Sequence, residues 1–369
     1  MTIKKLAVSG FRNIRSAELE FSPTVNIFYG KNAQGKTNLL EAIAVVLGRN
    51  FRIARKEEYR PFTSTVDSAP TRIVASYETE LVPDKVNKVE FTLTSTHING
   101  LPLKKASELY GDFKFVSFTP DSLELIKGYA DMRRYYLDNI AVAQHKAHRK
   151  AMQDFLKATK ERSTAYYMES FHPLQDVWDD IIVKQGINIT YGRMKFFTPI
   201  HRIAAEIYSA LSGGEELEMF YGSTVYGNLH DFDITDKQYL YDTYKRLLAD
   251  YPVGTDAWKT VGAHRDDVLF LINGKPARGF ASQGQIRSLV VALKLAEAEI
   301  IRQYNRENPI ILLDEVLGEL DADRRKYLLA NLVKSQMFIT TCNPSELEDI
   351  PGAKLWYVSN GEFVEEGEL

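Results

Sequence analysis

Residues 30–37 read Gly30-Lys31-Asn32-Ala33-Gln34-Gly35-Lys36-Thr37, the spacing G-x-x-x-x-G-K-[ST]. Glycines at those positions let backbone N–H groups curl around phosphate oxygens, and a helix starting at the lysine adds partial positive charge. Lys36 would then reach the β- and γ-phosphates of a nucleoside triphosphate, and Thr37 its Mg²⁺. The whole stretch from Gly30 to Asn38 is thus a candidate nucleotide contact. A second chemical element is Pro309-Ile-Ile-Leu-Leu-Asp314-Glu315, an apolar run ending in two acids. There Asp314 would hold Mg²⁺ through water, and Glu315 would orient or deprotonate an attacking water. Lys36 and Glu315 are the residues expected to carry hydrolysis.

Both motifs need particular elements beneath them. The phosphate loop follows the strand-like Val25-Asn-Ile-Phe-Tyr and opens a helical run from Asn38, which is the strand–loop–helix context that the motif requires. Carboxylates at the C-terminal end of a buried parallel strand lie where α/β sheets bind ligands. Short β-rich runs at 3–8 and 17–21 precede the loop, and Asn-Gly pairs at 99–100, 273–274 and 360–361 mark hairpins. From about Asp112 the texture turns helical and rich in Tyr, Lys and Arg, as in 133–167 and 176–211. After Gly262 the chain returns to alternating strands and helices. The expected architecture is an α/β head with a mixed sheet, in two parts, 1–111 and 262–369, interrupted by a mainly helical lobe over 112–261.

ATPases of the ABC class carry a Ser-Gly-Gly-Gln-like loop that opens a helix and caps a γ-phosphate held by another subunit, and two segments compete for that place. Leu211-Ser-Gly-Gly-Glu215 is the better letter match but leads into an alternating, strand-like run. Ala281-Ser282-Gln283-Gly284-Gln285 leads directly into an amphipathic helix that ends before the acidic strand. The signature is assigned to Ser282–Gln285, and the earlier segment is read as a turn. Asp321 can cap the helix from Ala322 and, in the class, lies at a dimer interface. Many such ATPases place a γ-phosphate-sensing His after the next strand; this chain has Thr340 and Thr341. With one phosphate loop and one signature per chain, a homodimer that closes on ATP follows.

With 369 residues, 44% of them hydrophobic and 26% charged, the chain reads as an ordinary globular protein of one interrupted domain or two. No apolar run approaches the roughly 18 residues of a membrane span, and the N-terminus lacks a signal-peptide pattern. The one cysteine, Cys342, excludes an intrachain disulfide, fits a cytoplasmic protein and is read as a buried thiol. A net charge of −3 gives no global pull toward nucleic acid, so DNA contact requires a local basic surface. Between His145 and Arg162, Lys146, Arg149, Lys150, Lys157, Lys160 and Arg162 outnumber Asp154 and Glu161. Such a patch suits phosphates without reading sequence. His145 and His148 lack further ligands at metal-binding spacing and are read as structural. Arg12 is a candidate nucleotide contact.

Several stretches, in order, resemble the RecF family: Gly10-Phe-Arg-Asn, the phosphate loop through Glu41-Ala-Ile, 120–128 with Arg133-Arg134-Tyr-Tyr-Leu-Asp138, Gly262-Ala-His-Arg-Asp-Asp, Phe280-Ala-Ser-Gln-Gly-Gln, and Leu312-Leu-Asp-Glu-Val-Leu-Gly-Glu-Leu-Asp. Two positions depart from the family: Ala130 where Pro is usual and Gly318 where Ser is usual. The resemblance implies an ATP-dependent dimer that binds single-stranded gaps and double-strand/single-strand junctions in DNA. It also implies cooperation with RecO and RecR in loading recombinase, and a slow, DNA-stimulated ATPase. The alternatives weighed are another transporter-less ABC-class ATPase with a protein partner, which usually carries two ATPase units per chain, and a non-hydrolysing scaffold, which would be expected to lose Lys36 or Glu315. A head of the SMC type is disfavoured because no long heptad run interrupts the chain.

Overall fold

The computed structural model describes residues 1–48, 56–62, 70–80, 82–104, 109, 113–165, 174–229, 236–343, 350 and 352–366. In chain order the elements begin with β1 (Thr2–Phe11), β2 (Ile14–Glu20), β3 (Val25–Tyr29), α1 (Lys36–Val46), β4 (Arg72–Thr79), β5 (Val82–Thr92), β6 (Thr96–Ile98), β7 (Leu101–Pro102) and β8 (Phe115–Phe118). Next come α2 (Glu124–Lys127), α3 (Ala130–Gln144), α4 (Lys146–Thr164), α5 (Gln175–Ser212), β9 (Leu217–Ser223), β10 (Gly227–Asn228), α6 (Lys237–Ala249), β11 (Asp267–Ile272), β12 (Lys275–Pro276), α7 (Ala277–Phe280) and α8 (Gln283–Asn305). The chain closes with β13 (Ile310–Asp314), α9 (Ala322–Leu332), β14 (Met337–Thr341), β15 (Ala353–Ser359) and β16 (Glu362–Glu365). Two compact units result, Met1–Ser122 with Glu297–Leu369, and Leu123–Ala296.

The first unit holds two sheets. One is a meander ordered β2-β1-β4-β5-β6-β7; the other is ordered β16-β15-β3-β14-β13-β8. In the second sheet β15, β3, β14, β13 and β8 run parallel and β16 pairs antiparallel at the edge. Every residue of β13 and β14 is buried, as continuous apolar runs in a covered parallel sheet require. Helix α1 is buried along residues 39–46, and its apolar side chains share one core with β1, β4, β5 and the parallel sheet. A helix apolar on nearly every side has no solvent face to offer. Its one buried acid, Glu41, is met by Arg12 Nη2 at 2.7 Å. Both members of each Asn-Gly pair have positive φ (50° and 81°, 48° and 73°, 51° and 80°), and each pair closes a two-residue hairpin.

The second unit packs α3, α4, α5 and α6 with a small sheet ordered β10-β9-β11-β12. The expected lobe is present and mainly helical, but its extent differs from 112–261. The first boundary, 111/112, lies outside the described residues. Residues 262–296, expected with the head, belong to the lobe unit. Pairing explains why: β11 runs beside β9 from Asp267↔Gly222 to Ile272↔Leu217.

A buried charge network joins these elements. Arg193 on α5 grips Asp138 on α3 with two bonds, Nε–Oδ1 at 2.7 Å and Nη2–Oδ2 at 2.8 Å, and donates to Ala263 O at 2.6 Å. His148 Nε2 meets the same Asp138 at 2.9 Å, and Lys195 donates to His145 Nε2 at 2.7 Å, so both histidines have structural partners. Asp266, fully buried, accepts from Tyr221 OH at 2.8 Å and Thr224 N at 3.0 Å. Arg133 binds Asp267 through Nε and Nη2. Gly192 is needed for contact, since a Cβ there would come within 2.4 Å of His148 Nδ1. The Arg-Arg-Tyr-Tyr-Leu-Asp and Gly-Ala-His-Arg-Asp-Asp motifs thus meet in one polar core. The two departures from the family fit locally: Ala130 is the first residue of α3, a position that also suits Pro, and a side chain at Gly318 would meet nothing within 4 Å.

Arg193→Ala is expected to cost about 3–5 kcal/mol, because it strands Asp138 without its main counter-ion. Arg202→Ala, which breaks an exposed i,i+4 pair with Glu206, is expected to stay within about 0.5 kcal/mol. Denaturant unfolding of the two variants checks this contrast. A pH dependence follows from His264, whose pKa burial pushes down to about 4. A depressed folded-state pKa contributes stability above the unfolded value of 6.5 that is lost as pH falls toward 4. Stability should therefore drop by up to about 3 kcal/mol across that window, and His264→Gln should flatten that part of the profile.

Candidate nucleotide site

Strand order assembles the site in the first unit. β14 lies between β3 and β13, with Thr341 opposite Tyr29 and Thr340 opposite Asp314. The C-terminal ends of three parallel strands therefore deliver the phosphate loop, the threonines and the two acids to one edge of the sheet. Within the loop Gly30 has φ of 154°, and a Cβ there would lie 2.3 Å from Val358 O. At Gly35, φ is 114° and a Cβ would meet the Asn13 side chain. Ala33 also has positive φ, 63°.

Lys36 is almost fully buried and donates to Gly30 O at 2.7 Å and Lys31 O at 2.9 Å, while pairing with Glu315 Oε1 at 2.9 Å. Thr37 Oγ1 donates to Asp314 Oδ1 at 2.8 Å, and Thr340 Oγ1 reaches the same oxygen at 2.8 Å. Thr340 also accepts from Glu315 N at 3.0 Å. Thus Thr340, on the strand where many ATPases of the class place a histidine, contacts the Asp314 carboxylate and the Glu315 backbone, whereas Thr341 donates to Asn343 O at 3.2 Å. Glu315 has φ of 56°, a conformation that costs a non-glycine residue energy and is often held at functional sites. Hard oxygen donors on Thr37 and Asp314, converging within hydrogen-bond distance, fit Mg²⁺; the Lys36 ammonium and the α1 N-terminus fit phosphate.

Four residues at this edge, Cys342, Asn13, Asn360 and Gly361, were not anticipated in these roles. Cys342 is exposed, not buried as expected, because β14 ends at the site. Its thiol donates to Asn32 Oδ1 at 2.8 Å and lies 3.5 Å from both Lys36 Nζ and Glu315 Oε1. Partial desolvation and the Glu315 charge push its pKa up. Asn13 braces the loop from the β1–β2 turn, donating to Gln34 O at 3.1 Å and accepting from Asn38 Nδ2 at 2.7 Å. Beside it the β15–β16 hairpin donates Gly361 N to the same Gln34 O and Asn360 N to Gln34 Oε1, both at 2.8 Å. Position in the Phe-Arg-Asn turn was the only available signal for Asn13. Arg12 itself, with φ of 51°, points its guanidinium to Glu41.

The remaining site residues lie elsewhere. Asp321 caps α9, accepting from Arg324 N at 2.9 Å. In the second unit, Ser282 Oγ accepts from Gln285 N at 3.2 Å and Gln285 Oε1 accepts from Ser282 N at 2.8 Å, a reciprocal capping box that starts α8. Gln283 accepts from Lys127 at 2.8 Å, and Gly284 sits in the first turn. The competing Ser212-Gly213-Gly214 segment ends α5, with Gly213 left-handed at φ of 75°. On α4, Lys146, Lys150, Lys157 and Lys160 are exposed and Arg149 is half-buried. Lys150 pairs with Asp154 at 2.8 Å and Lys157 with Glu161 at 3.8 Å. Arg162 leaves the basic patch: it is buried and bonded to Asp179 at 2.5 Å.

The RecF/RecN/SMC N-terminal domain family matches residues 2–360. Among curated relatives, the DNA replication and repair protein RecF of Lactobacillus delbrueckii subsp. bulgaricus is 31% identical, covering 100% of this chain and 98% of that protein. The RecF of Geotalea uraniireducens is 32% identical, over 99% and 100%. Among solved structures, the recombination mediator protein RecF–ATP in the RecFOR pathway superposes with a TM-score of 0.87 at 29% identity, over 99% of this chain and 97% of that one. An Smc head bound to the C-terminal winged-helix domain of ScpA, 17% identical with a TM-score of 0.55, shares the fold. A mixed α/β head with a mainly helical lobe, a phosphate loop braced at Gln34, and full-length similarity together place this chain in the RecF family of DNA replication and repair proteins.

Proposed function

We propose that this protein is an ATP-driven DNA-binding protein of recombinational repair, which dimerises on ATP at single-stranded gaps and double-strand/single-strand junctions and helps load recombinase there. The observation that carries the reading is the convergence of Lys36, Thr37, Asp314 and Glu315 at one sheet edge. The RecF–ATP complex named as a recombination mediator adds support by similarity.

Before nucleotide binds, the Lys36 charge is shared among two loop carbonyls and Glu315. A triphosphate entering the loop takes over Lys36 and so releases Glu315 to orient and deprotonate water. Mg²⁺ held by Thr37 and Asp314 would supply charge neutralisation at the phosphates. Thr340 keeps Asp314 aimed throughout. Because the chain has one phosphate loop and one signature, the Ser282 hydroxyl and the first-turn N–H groups of α8 would cap the γ-phosphate held by a second copy, with Asp321 at the same interface. Hydrolysis removes that bridge, so a weak ATPase stimulated by DNA sets the lifetime of the closed dimer. The lysines of α4 would meet DNA phosphates, and RecR and RecO are the expected protein partners in the cytoplasm.

Binding to duplex DNA with a single-stranded gap should strengthen at least tenfold with ATP over ADP, and Lys36→Ala should abolish that gain. Glu315→Gln should slow ATP turnover roughly hundredfold or more while keeping ATP-dependent DNA binding. DNA affinity that ignores the nucleotide would sink the switch.

A further inference from the structure

The lobe contains a pocket of about 290 Å³ that the nucleotide chemistry does not use. Its walls include Met152, Phe155 and Leu156 of α4 and the His264 ring, which lies 5.5 Å from the Phe155 ring. Arg134 and Tyr135 of α3 stand on its lining. Tyr135 is 50% exposed and Leu156 59%, so aromatic and apolar surface faces solvent at the opening. Arg134 is half-buried and makes one hydrogen bond, to Asp266 O at 2.7 Å. No carboxylate among the described residues lies within ion-pair distance of it. Burial and the like charge of Arg193 depress its pKa, against the opposing pull of Asp131, Asp267 and Asp266. Asp131, also on the lining, is exposed and therefore well screened.

A ligand that fits has a flat apolar body and an adjoining anion. Two sources have that chemistry, a nucleotide of DNA and an acidic, apolar peptide. The helix that walls the pocket decides between them: Arg149, Met152, Leu156 and Lys160 recur at i, i+3, i+7 and i+11, one face of α4, so basic residues flank the opening on both sides along the helix. Apolar platforms interleaved with cations are what single-stranded nucleic acid binding uses. A volume near the ~300 Å³ lower end of ligand pockets takes one ring system, and a base stacked inside a duplex cannot enter it.

We propose that this pocket receives one unstacked nucleotide of single-stranded DNA, its base against Phe155, Leu156 and His264 and its phosphate at Arg134. The proposal rests on the DNA-binding reading above and adds the means by which a gap is told from intact duplex. The test uses the full chain with ATP and gapped duplexes carrying 2-aminopurine at single positions of the gap. Wild type should raise the fluorescence at one or two positions. Arg134→Gln and the surface change Leu156→Asp should each remove that rise and weaken gapped-DNA binding about tenfold, with ATP binding and affinity for blunt duplex unchanged. Equal losses on gapped and blunt DNA would reduce the site to a charge effect and overturn the proposal. So would unchanged gapped-DNA binding, including the case in which the variants instead lose a protein partner. Wild type that binds gapped DNA without a position-specific signal overturns the pocket alone; wild type that binds no DNA with ATP overturns the DNA-binding reading as well.

Discussion

The parallel pairing of β3, β14 and β13 is the constraint on which the candidate nucleotide site depends. Parallel strands put all their C-terminal ends on one edge, and placing β14 in the middle brings residues some three hundred positions apart into contact. Lys36 from the loop after β3 meets Glu315 from β13, and Thr340 from β14 holds the acids between them. None of these contacts is local. They persist because β13 and β14 are completely buried and so cannot slip without exposing apolar surface.

The site also stores strain. Glu315 and Ala33 adopt left-handed backbone conformations, and Gly30 and Gly35 sit where a Cβ would collide with Val358 O and Asn13. Such conformations hold only when surroundings over-determine them. Here Asn13 and the adjoining Asn360-Gly361 turn both clamp the loop at Gln34. Both clamps are hairpin turns of edge or meander strands, so the two sheets of the first unit each contribute one.

The lobe is organised by a different interaction, a buried ion network instead of a strand register. Asp138 answers Arg193 and His148, and Asp266 answers Tyr221 and Thr224. Buried charges are tolerable only when each is paired and hydrogen-bonded, which ties α3, α4, α5 and β9 to the Ala263–Asp266 turn. That demand accounts for motifs whose residue types gave no hint of chemistry. The β9–β11 pairing keeps residues 262–296 with the lobe, where strand alternation alone suggested the head.

The amino-acid sequence by itself determined the local pieces. Periodicity marked 133–167 and 176–211 as helical without the break between α3 and α4, the Asn-Gly pairs marked three hairpins, and the phosphate loop, the acidic strand end and the helix start after Ser282 could be read from spacing, since each depends on neighbours within a few residues. Tertiary structure alone decided what lies between the pieces. Cys342 looked like a core thiol because it follows an apolar strand, yet strand order sets it beside Lys36. Arg162 looked like part of a basic surface, yet helix packing turns it inward onto Asp179. The lobe pocket is walled by side chains from helices separated in sequence, so no window of residues contains it. Local propensity acts over a turn or two, whereas strand order and helix packing are chosen by burial of the whole chain.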